Sequence, residues 1–546
     1  MTDEPAAGTD ELFEAVYGGE NDVVVRLLRA GVPAEATDRD GQTALYLAAV
    51  SDEAGLVRLL LAAGADPQRA SGPERGDLPL CAAACGGHTE VVRALLAAGA
   101  RPDSREDFGF TAGAWAVVQG FPDTLEALLE YGADPDLPGP NGEPLLLLAA
   151  RRGSTPSVRV LLRYGAGARA GAADDIREDT HEDRYDGMRH GAREAALAEA
   201  RRWMALDVEQ ELRDGLLRAY GDGYETVVRR IEEDGSLTVV VELLRDGAPM
   251  AGQEQQTGHA AVATLLETEL GIATPYEELA GRALRCGDPG RDDWTESVAA
   301  LSRRGDEETF QAAAAWCASD EPLRQAFAAG VLARLGTADG TDGASPFTAR
   351  AVPLLRELSR EAAETELVRV VVRGLGLHGD PAVLPEILRH TAHPDAGVRR
   401  EVALALAGLA PTGLVPTGLG TTGNSDRDDS GGTDHAGVRA LILLSRDAAA
   451  SVRDRAVPAL AEVDADTHEI REALAARLND PDADTAAEAA KGLAVRQDPR
   501  AIDVLARILA DEEHDGYARA TAMAAVRYVP YGPERQRLEC TLPRRR

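Results

Sequence analysis

Cys81, Cys85 and His88 stand within eight residues, in the stretch CAAACGGH. Two thiols and an imidazole at that spacing could supply soft ligands to zinc. The cysteines are four apart, so on a helix they share a face. A closed structural site needs four ligands, however, and the sequence places no fourth beside these three. Two further stretches have the residue types of metal sites. DDIREDTHEDRYDGMRH (Asp174–His190) gathers acids around His181 and His190, and in a chain this acidic such a run also reads as a solvated linker. DRDDSG (Asp426–Gly431) fits the first half of a calcium-binding loop, but Gly437 stands at the twelfth position, where a bidentate carboxylate is required. The single lysine, Lys491, has no phosphate-binding glycine loop before it, and no Gly-x-Ser-x-Gly, His-Glu-x-x-His or Cys-x-x-Cys occurs. No catalytic residue, metal site or cofactor is implied.

The elements that carry these residues follow a repeat. Gly-Ala recurs at Gly64-Ala65, Gly99-Ala100, Gly132-Ala133 and Gly165-Ala166, at steps of 35, 33 and 33, each time closing an apolar helix such as VRALLAAGA. VVRLLRAGV, ending at Val32, is a weaker earlier copy. A second series, Gly41, Gly76, Gly109 and Gly142, keeps the same steps, each glycine two residues before a helix start at Thr43, Leu78, Thr111 or Pro144. Each unit therefore reads as tight turn, short helix, turn, longer helix and glycine stop.

DRDGQTALYLAA (Asp38–Ala49) and GHTEVVRALLAAGA (Gly87–Ala100) resemble the ankyrin repeat, with about five copies in an N-terminal domain of residues 1–170. Leu78–Leu80 departs from the family's Thr-Pro start, and Gly113 falls inside a helix, so those two repeats are expected to be looser. One such unit cannot bury its own apolar face, so neighbours stack and the turn tips project along one edge. The tips carry Arg39, Asp40, Gln42, Glu74, Arg75, Asp77, Asp107, Phe108, Phe110, Asn141 and Glu143, the candidate partner-binding residues. Phe108 and Phe110 flank Gly109 and either face a partner or fold back on the next repeat; Trp115 is expected in the core. Gly87-His88 matches the family's Gly-His between helices, so a repeat accounts for these residues better than zinc does. His88 is expected to hydrogen-bond near the next helix start.

From about Trp294 the pattern changes to helix pairs without glycine turns. DPAVLPEILRHTAHPDAGVRREVALALAGLA (Asp380–Ala410) resembles a short bacterial HEAT repeat. The residue equivalent to Val398 returns as Val452, Thr485 and Tyr517, with weaker earlier units at Asp320–Gly336 and Thr365–Gly379. The step from Val398 to Val452 is 54 residues, and the excess is an insertion, 411–436, rich in Gly, Thr, Ser and Asp and expected to be disordered. Residues 171–293 read as a helical bridge: Arg193–Tyr220 has helical periodicity, while Val239–Ala248 and Thr257–Glu267 echo the ankyrin second helix. The expected fold is all-α, an α-solenoid of ankyrin repeats, a helical bridge and HEAT-like repeats over 294–546.

Of 546 residues, 92 are acidic and 58 basic, a net charge of −34. Such a surface repels nucleic acid and anionic lipid and attracts basic partners. Nearly all the basic residues are Arg, which fits codon bias in a GC-rich, bacterial genome better than a phosphate site. Five scattered cysteines fit a reducing cytoplasm, MTDEPAAGTDELF lacks the apolar core of a signal peptide, and no apolar run approaches membrane-spanning length. Both resemblances imply recognition without turnover: a cytosolic scaffold binding basic protein partners. The alternatives are an inhibitor or immunity protein masking a basic toxin or nuclease, and a HEAT-repeat enzyme or lyase-like subunit. The oligomeric state is not legible.

Overall fold

In the computed structural model, residues 8–72, 76–168, 191–233, 235–336, 345–413, 434–510 and 516–540 are described. They divide into two compact units: Met1–Arg282 with Gly290–Ser297, and Ala283–Pro289 with Val298–Arg546. Among the described residues no helix is long and apolar enough to cross a membrane.

The first unit begins with five helix pairs: α1 Thr9–Tyr17 and α2 Asn21–Arg29, α3 Ala44–Val50 and α4 Ala54–Ala62, α5 Pro79–Gly86 and α6 Thr89–Ala97, α7 Ala112–Gln119 and α8 Pro122–Glu130, α9 Leu145–Arg152 and α10 Thr155–Arg163. Their starts fall where the second glycine series puts them. Thr43 and Thr111 cap α3 and α7 by accepting the amide N–H of Tyr46 and Ala114. One bridge each closes three of the tips, Thr37 to Thr43, Ser71 to Asp77 and Arg105 to Thr111. Gly41, Gly109 and Gly142 turn their tips with φ of 75°, 78° and 78°, a region that side chains rarely enter. The α5 and α7 repeats are packed like the rest. Gly113 is buried, and a methyl added there would meet Leu145 only at ordinary contact distance, 3.6 Å. Leucine, valine and alanine from every pair form one continuous core, which is why aromatics are not needed to fill it.

Residues 171–293 are not wholly helical. The predicted helix over Arg193–Tyr220 is two, α11 Ala192–Met204 and α12 Val208–Tyr220, the second capped by Asp207. Val239–Ala248, read as an echo of an ankyrin helix, is strand and turn instead. It belongs to an antiparallel meander of β1 Glu225–Glu233, β2 Ser236–Arg245 and β3 Ala248–Gln256, in the order β1-β2-β3. The cause is local. Three consecutive valines favour a pleated, half-buried surface. Asp246 and Gly247, both at positive φ (53° and 79°), form the two-residue turn whose twist suits a hairpin. Val239, Val241 and Leu243 pack on Leu212 and Leu216 of α12.

The other echo is helical: Thr257–Glu267 leads into α13 His259–Glu269. α11 packs on α9 and on α13, and α13 packs on α10, the arrangement of a further repeat. This sixth pair is split, with α12 and the meander inserted between its two helices. His259 confirms the register: its Nε2 lies 3.2 Å from the Arg151 carbonyl at the end of α9. His88 has its Nε2 3.0 Å from the Val50 carbonyl at the same point of α3. Each ring thus ties its own repeat to the preceding one, rather than to the next helix start. Below the split pair, Arg282 and Glu267 form a buried ion pair, 1% and 2% exposed, with two N–H···O bonds of 2.8 Å; Arg201 and Thr274 also donate to Glu267.

The first unit also receives the start of a helix whose remainder lies in the second. Of α14 Tyr276–Cys286 and α15 Asp292–Arg304, the second brings Asp292 and Glu296 to Arg159 of α10, at 2.6 and 2.8 Å.

The second unit continues with α16 Glu307–Cys317, α17 Pro322–Leu332, α18 Thr348–Glu361, α19 Thr365–Leu377, α20 Leu384–Leu388, α21 Ala396–Gly413, α22 Asp434–Leu444, α23 Ala450–Glu462, α24 His468–Ala475, α25 Ala483–Val495, α26 Ala501–Ala510, α27 Tyr517–Ala525 and α28 Pro533–Cys540. α17, α19, α21, α23, α25 and α27 stack in one row. A ladder of charge locks that row: Arg369 reaches Asp395 at 3.2 Å, Arg399 reaches Asp447 at 2.7 Å and Arg453 reaches Asp480 at 2.8 Å. Each arginine directly follows an anchor valine, Val368, Val398 or Val452, and the ladder stops where the next position is Ala486. The insertion predicted at 411–436 is shorter at both ends, since α21 runs to Gly413 and α22 starts at Asp434; residues 414–433, with the calcium-like Asp426–Gly431, lie outside the described residues. So does the acidic stretch Asp174–His190.

Candidate interaction surface

The predicted tip residues do not share one environment. Arg39 and Asp40 are exposed, and Arg39 lies 3.7 Å from Asp10. Gln42 is held by its own backbone, whose N–H donates to Asp38 at 2.8 Å. Glu74 and Arg75 lie outside the described residues. Asp107 and Asn141 are exposed. Glu143 is turned inward and forks with Arg151 through bonds of 3.0 and 2.7 Å; this hydrogen bonding holds its carboxyl below the ordinary range.

The two aromatics of the α7 tip part company. Phe108 stays 77% exposed. Phe110 folds back and stacks on Trp115, with ring centroids 4.1 Å apart and planes 16° from parallel. Trp115, expected in the core, lies at its edge: it packs against the core but is only half-buried, and its indole N–H donates to Glu106 at 2.6 Å. The reason is the position of Glu106 at the hairpin, which gives the indole a polar partner at the surface that the core lacks.

The stacked pair separates two hollows on the faces of the short helices. One, of about 380 Å³, is walled by Tyr46, Cys81, Cys85, Phe108 and Trp115, with the carboxylates of Asp77 and Glu106 at its mouth. The other, of about 280 Å³, is lined by Phe110, Val118, Pro140, Leu148, Arg151, Arg152 and Gln255. In the first hollow the field is negative. Burial, and then the charges of Asp77 and Asp107, raise the Glu106 carboxyl above its ordinary value, while its bond from Trp115 opposes the rise. The Tyr46 phenol is raised by burial and by Asp77 and Glu106.

Cys81, Cys85 and His88 do meet at this hollow, but with other partners. The Cys81 thiol is buried against the Ser104 carbonyl, and burial together with Glu106 pushes it far up, away from the thiolate a metal needs. Gln119 donates to Cys85 at 3.5 Å, and His88 is engaged with Val50. Among the described residues no three His, Cys, Asp or Glu side chains are grouped to hold a metal ion.

In the second unit a hollow of about 490 Å³ is bordered by Asp454, Arg455, Pro458, Glu462, Asp484, Glu488 and Tyr517. Part of its charge is spent internally: Asp454 lies 3.3 Å from Arg455, and Glu488 takes Lys491 at 3.0 Å and the Tyr517 hydroxyl at 2.7 Å.

Sequence reasoning named the tips but not the hollow behind them. Tyr46 and Glu106 were missed. The signal was present in the repeat itself, because Tyr46 and Trp115 sit on the same faces of α3 and α7, three and four residues after their capping threonines.

No curated protein shows significant similarity to the chain. Residues 12–106 and 70–139 match the family described as Ankyrin repeats (3 copies), and residues 438–527 match the family described as HEAT repeats. Proteins built from either repeat generally serve as interaction scaffolds, and such repeats are typically non-catalytic. This chain therefore joins ankyrin repeats at its N-terminal end to HEAT repeats toward its C-terminus.

Proposed function

We propose that the protein is a non-catalytic cytoplasmic scaffold whose ankyrin surface grips a basic protein partner and whose HEAT repeats hold a second. The observation that carries this reading is Phe108. A large aromatic side chain, 77% exposed at a hairpin tip beside a hollow, buries little of itself in the fold and supplies the kind of anchor that interfaces use. The net charge of −34 supports a basic partner, because long-range attraction speeds encounter and is weakened by salt. The free cysteines fit a reducing compartment.

The test is affinity capture from the source organism with the full chain as bait. A stoichiometric basic protein is expected at low salt, with recovery falling as salt shortens the electrostatic range below about 10 Å. Phe108→Ala is expected to reduce that recovery without lowering thermal stability. Absence of any stoichiometric partner at low and moderate salt refutes the reading.

A further inference from the structure

The hollow walled by Tyr46, Phe108 and Trp115 has a composition that specifies its occupant more closely than net charge does. Two carboxylates, Asp77 and Glu106, face it, and neither has a cationic partner among the described residues. The neighbouring cation is committed elsewhere: both terminal nitrogens of Arg105 donate to carbonyls, of Gly109 and Pro138, at 2.6 Å each. His88, the remaining basic residue at the rim, is bound to Val50. Glu106 accepts the Trp115 indole N–H and lies against the Cys81 thiol, and a carboxylate has acceptor sites beyond these two. A neutral or anionic occupant would leave these carboxylates still less solvated and unpaired, at a cost.

We infer that this hollow seats an arginine side chain of the partner, and that the second hollow seats an apolar side chain of the same extended segment. The inference rests on the interaction reading above and deepens it. Arginine is favoured over lysine by shape. A guanidinium is flat enough to lie against Tyr46 and Trp115, and its fork of five N–H donors can serve Asp77 and Glu106 together. An ammonium is a point charge that stacks less well. The second hollow differs in kind: Phe110, Val118, Pro140 and Leu148 make it apolar, while Arg151 is paired with Glu143 and Arg152 with Glu254. Both guanidiniums there are neutralised, so that hollow neither repels a basic segment nor calls for an acid. Packed helices lie roughly 9 Å apart and an extended chain advances about 3.3 Å per residue, which puts the two side chains about three positions apart.

The experiment uses the full chain labelled with 5-fluorotryptophan, whose four indoles give resolved fluorine signals, that of Trp115 assigned with Trp115→Phe. N-acetyl-arginine amide is expected to move the Trp115 signal saturably in the millimolar range, and N-acetyl-glutamine amide is expected to leave it in place. Glu106→Gln and Asp77→Asn are each expected to weaken the response about tenfold, a change of about 1.4 kcal/mol. Acetyl-Arg-Gly-Gly-Leu amide is expected to bind several-fold tighter than acetyl-Arg-Gly-Gly-Gly amide. No saturable shift with the arginine probe, an equal shift with the glutamine probe, or an equal affinity for N-acetyl-lysine amide overturns the arginine assignment. Equal affinity of the two peptides overturns the second hollow. Because the wild-type titration needs no variant to fold, it separates the two levels of the account. A partner captured equally well by Glu106→Gln leaves the scaffold standing and removes the arginine pocket, whereas capture of no partner removes the scaffold.

Discussion

The two repeat units are both rich in acids and arginines but dispose of them differently. In the HEAT unit the turn carboxylates are committed: Asp447 and Asp480 each take a forked arginine, and the Asp480 side chain is wholly buried. In the ankyrin unit glycine, threonine and Asp38 shape the turns and histidines tie repeats to backbone carbonyls, while Asp77 and Glu106 have no cationic partner among the described residues, Glu106 accepting from the Trp115 indole. Net charge is spread over the whole chain, whereas carboxylates without a cationic partner, set beside aromatic rings, mark a place. Carboxylates are mortar in both units, through Glu143 and Glu267 in the first as through Asp447 and Asp480 in the second, and Asp77 and Glu106 stand apart by having no cation beside them among the described residues.

That contrast can be broken most forcefully in the HEAT unit. Arg453→Met strips a buried carboxylate of its forked partner, leaving it Arg477 at 3.3 Å and the Asp482 N–H at 3.2 Å, and is expected to destabilise the protein by about 3 kcal/mol in urea unfolding. The equivalent loss of charge in the groove, Glu106→Gln, is expected to cost nothing and to stabilise slightly at neutral pH. The signs follow from the shifts. Burial raises the Glu106 carboxyl, so its charged form opposes folding and the neutral amide relieves that. Asp498 is held down to about 2, chiefly by Arg500, so its contribution is full above the unfolded value of about 3.9 and is lost as pH falls toward 2. Acid titration of wild type is accordingly expected to weaken the second unit over that window.

The histidine ties come next in size. His259→Ala removes a bond to a backbone carbonyl and a ring stacked on Trp203, and is expected to cost about 2 kcal/mol; His88→Ala, less buried and unstacked, about 1 kcal/mol. Burial also lowers the His259 imidazole to about 4, so its neutral form is the folded one, and protonation as pH falls through the unfolded value of about 6.5 toward 4 progressively removes that stability. A His259→Ala variant as stable as wild type would deny that α11 and α13 form a repeat. The smallest expected effect is a gain. Gly113→Ala fills ordinary contact space inside α7 and is expected to stabilise by about 0.5–1 kcal/mol, measured as a raised Tm.

Much of this architecture is readable in residues that backbone geometry constrains. Gly41, Gly109 and Gly142 announce their turns because few other residues adopt positive φ, and Thr43 and Thr111 mark helix starts because their hydroxyls are needed there. The arginine after each of Val368, Val398 and Val452 marks the helix row of the second unit. The meander was hidden because Val-Val-Val-Glu-Leu-Leu is apolar enough to imitate a helix, although Asp246-Gly247 carried the hairpin signal. The sixth helix pair was hidden because an insertion between its helices destroys the 33-residue step, leaving only Gly258-His259 as a trace of Gly87-His88. Which of Phe108 and Phe110 is free could not be read at all, since the outcome depends on Trp115 and Glu106 meeting across the hairpin.

The central claim, that the ankyrin hollows are where a partner docks, is tested most directly by hydrogen–deuterium exchange of the full chain with and without its captured partner. The account predicts new protection concentrated in the Glu106–Phe110 tip and in α3, α5 and α7, abolished by Glu106→Gln together with Phe108→Ala. Protection confined to the HEAT unit, with the tip and those helices exchanging as in the free protein, would contradict it.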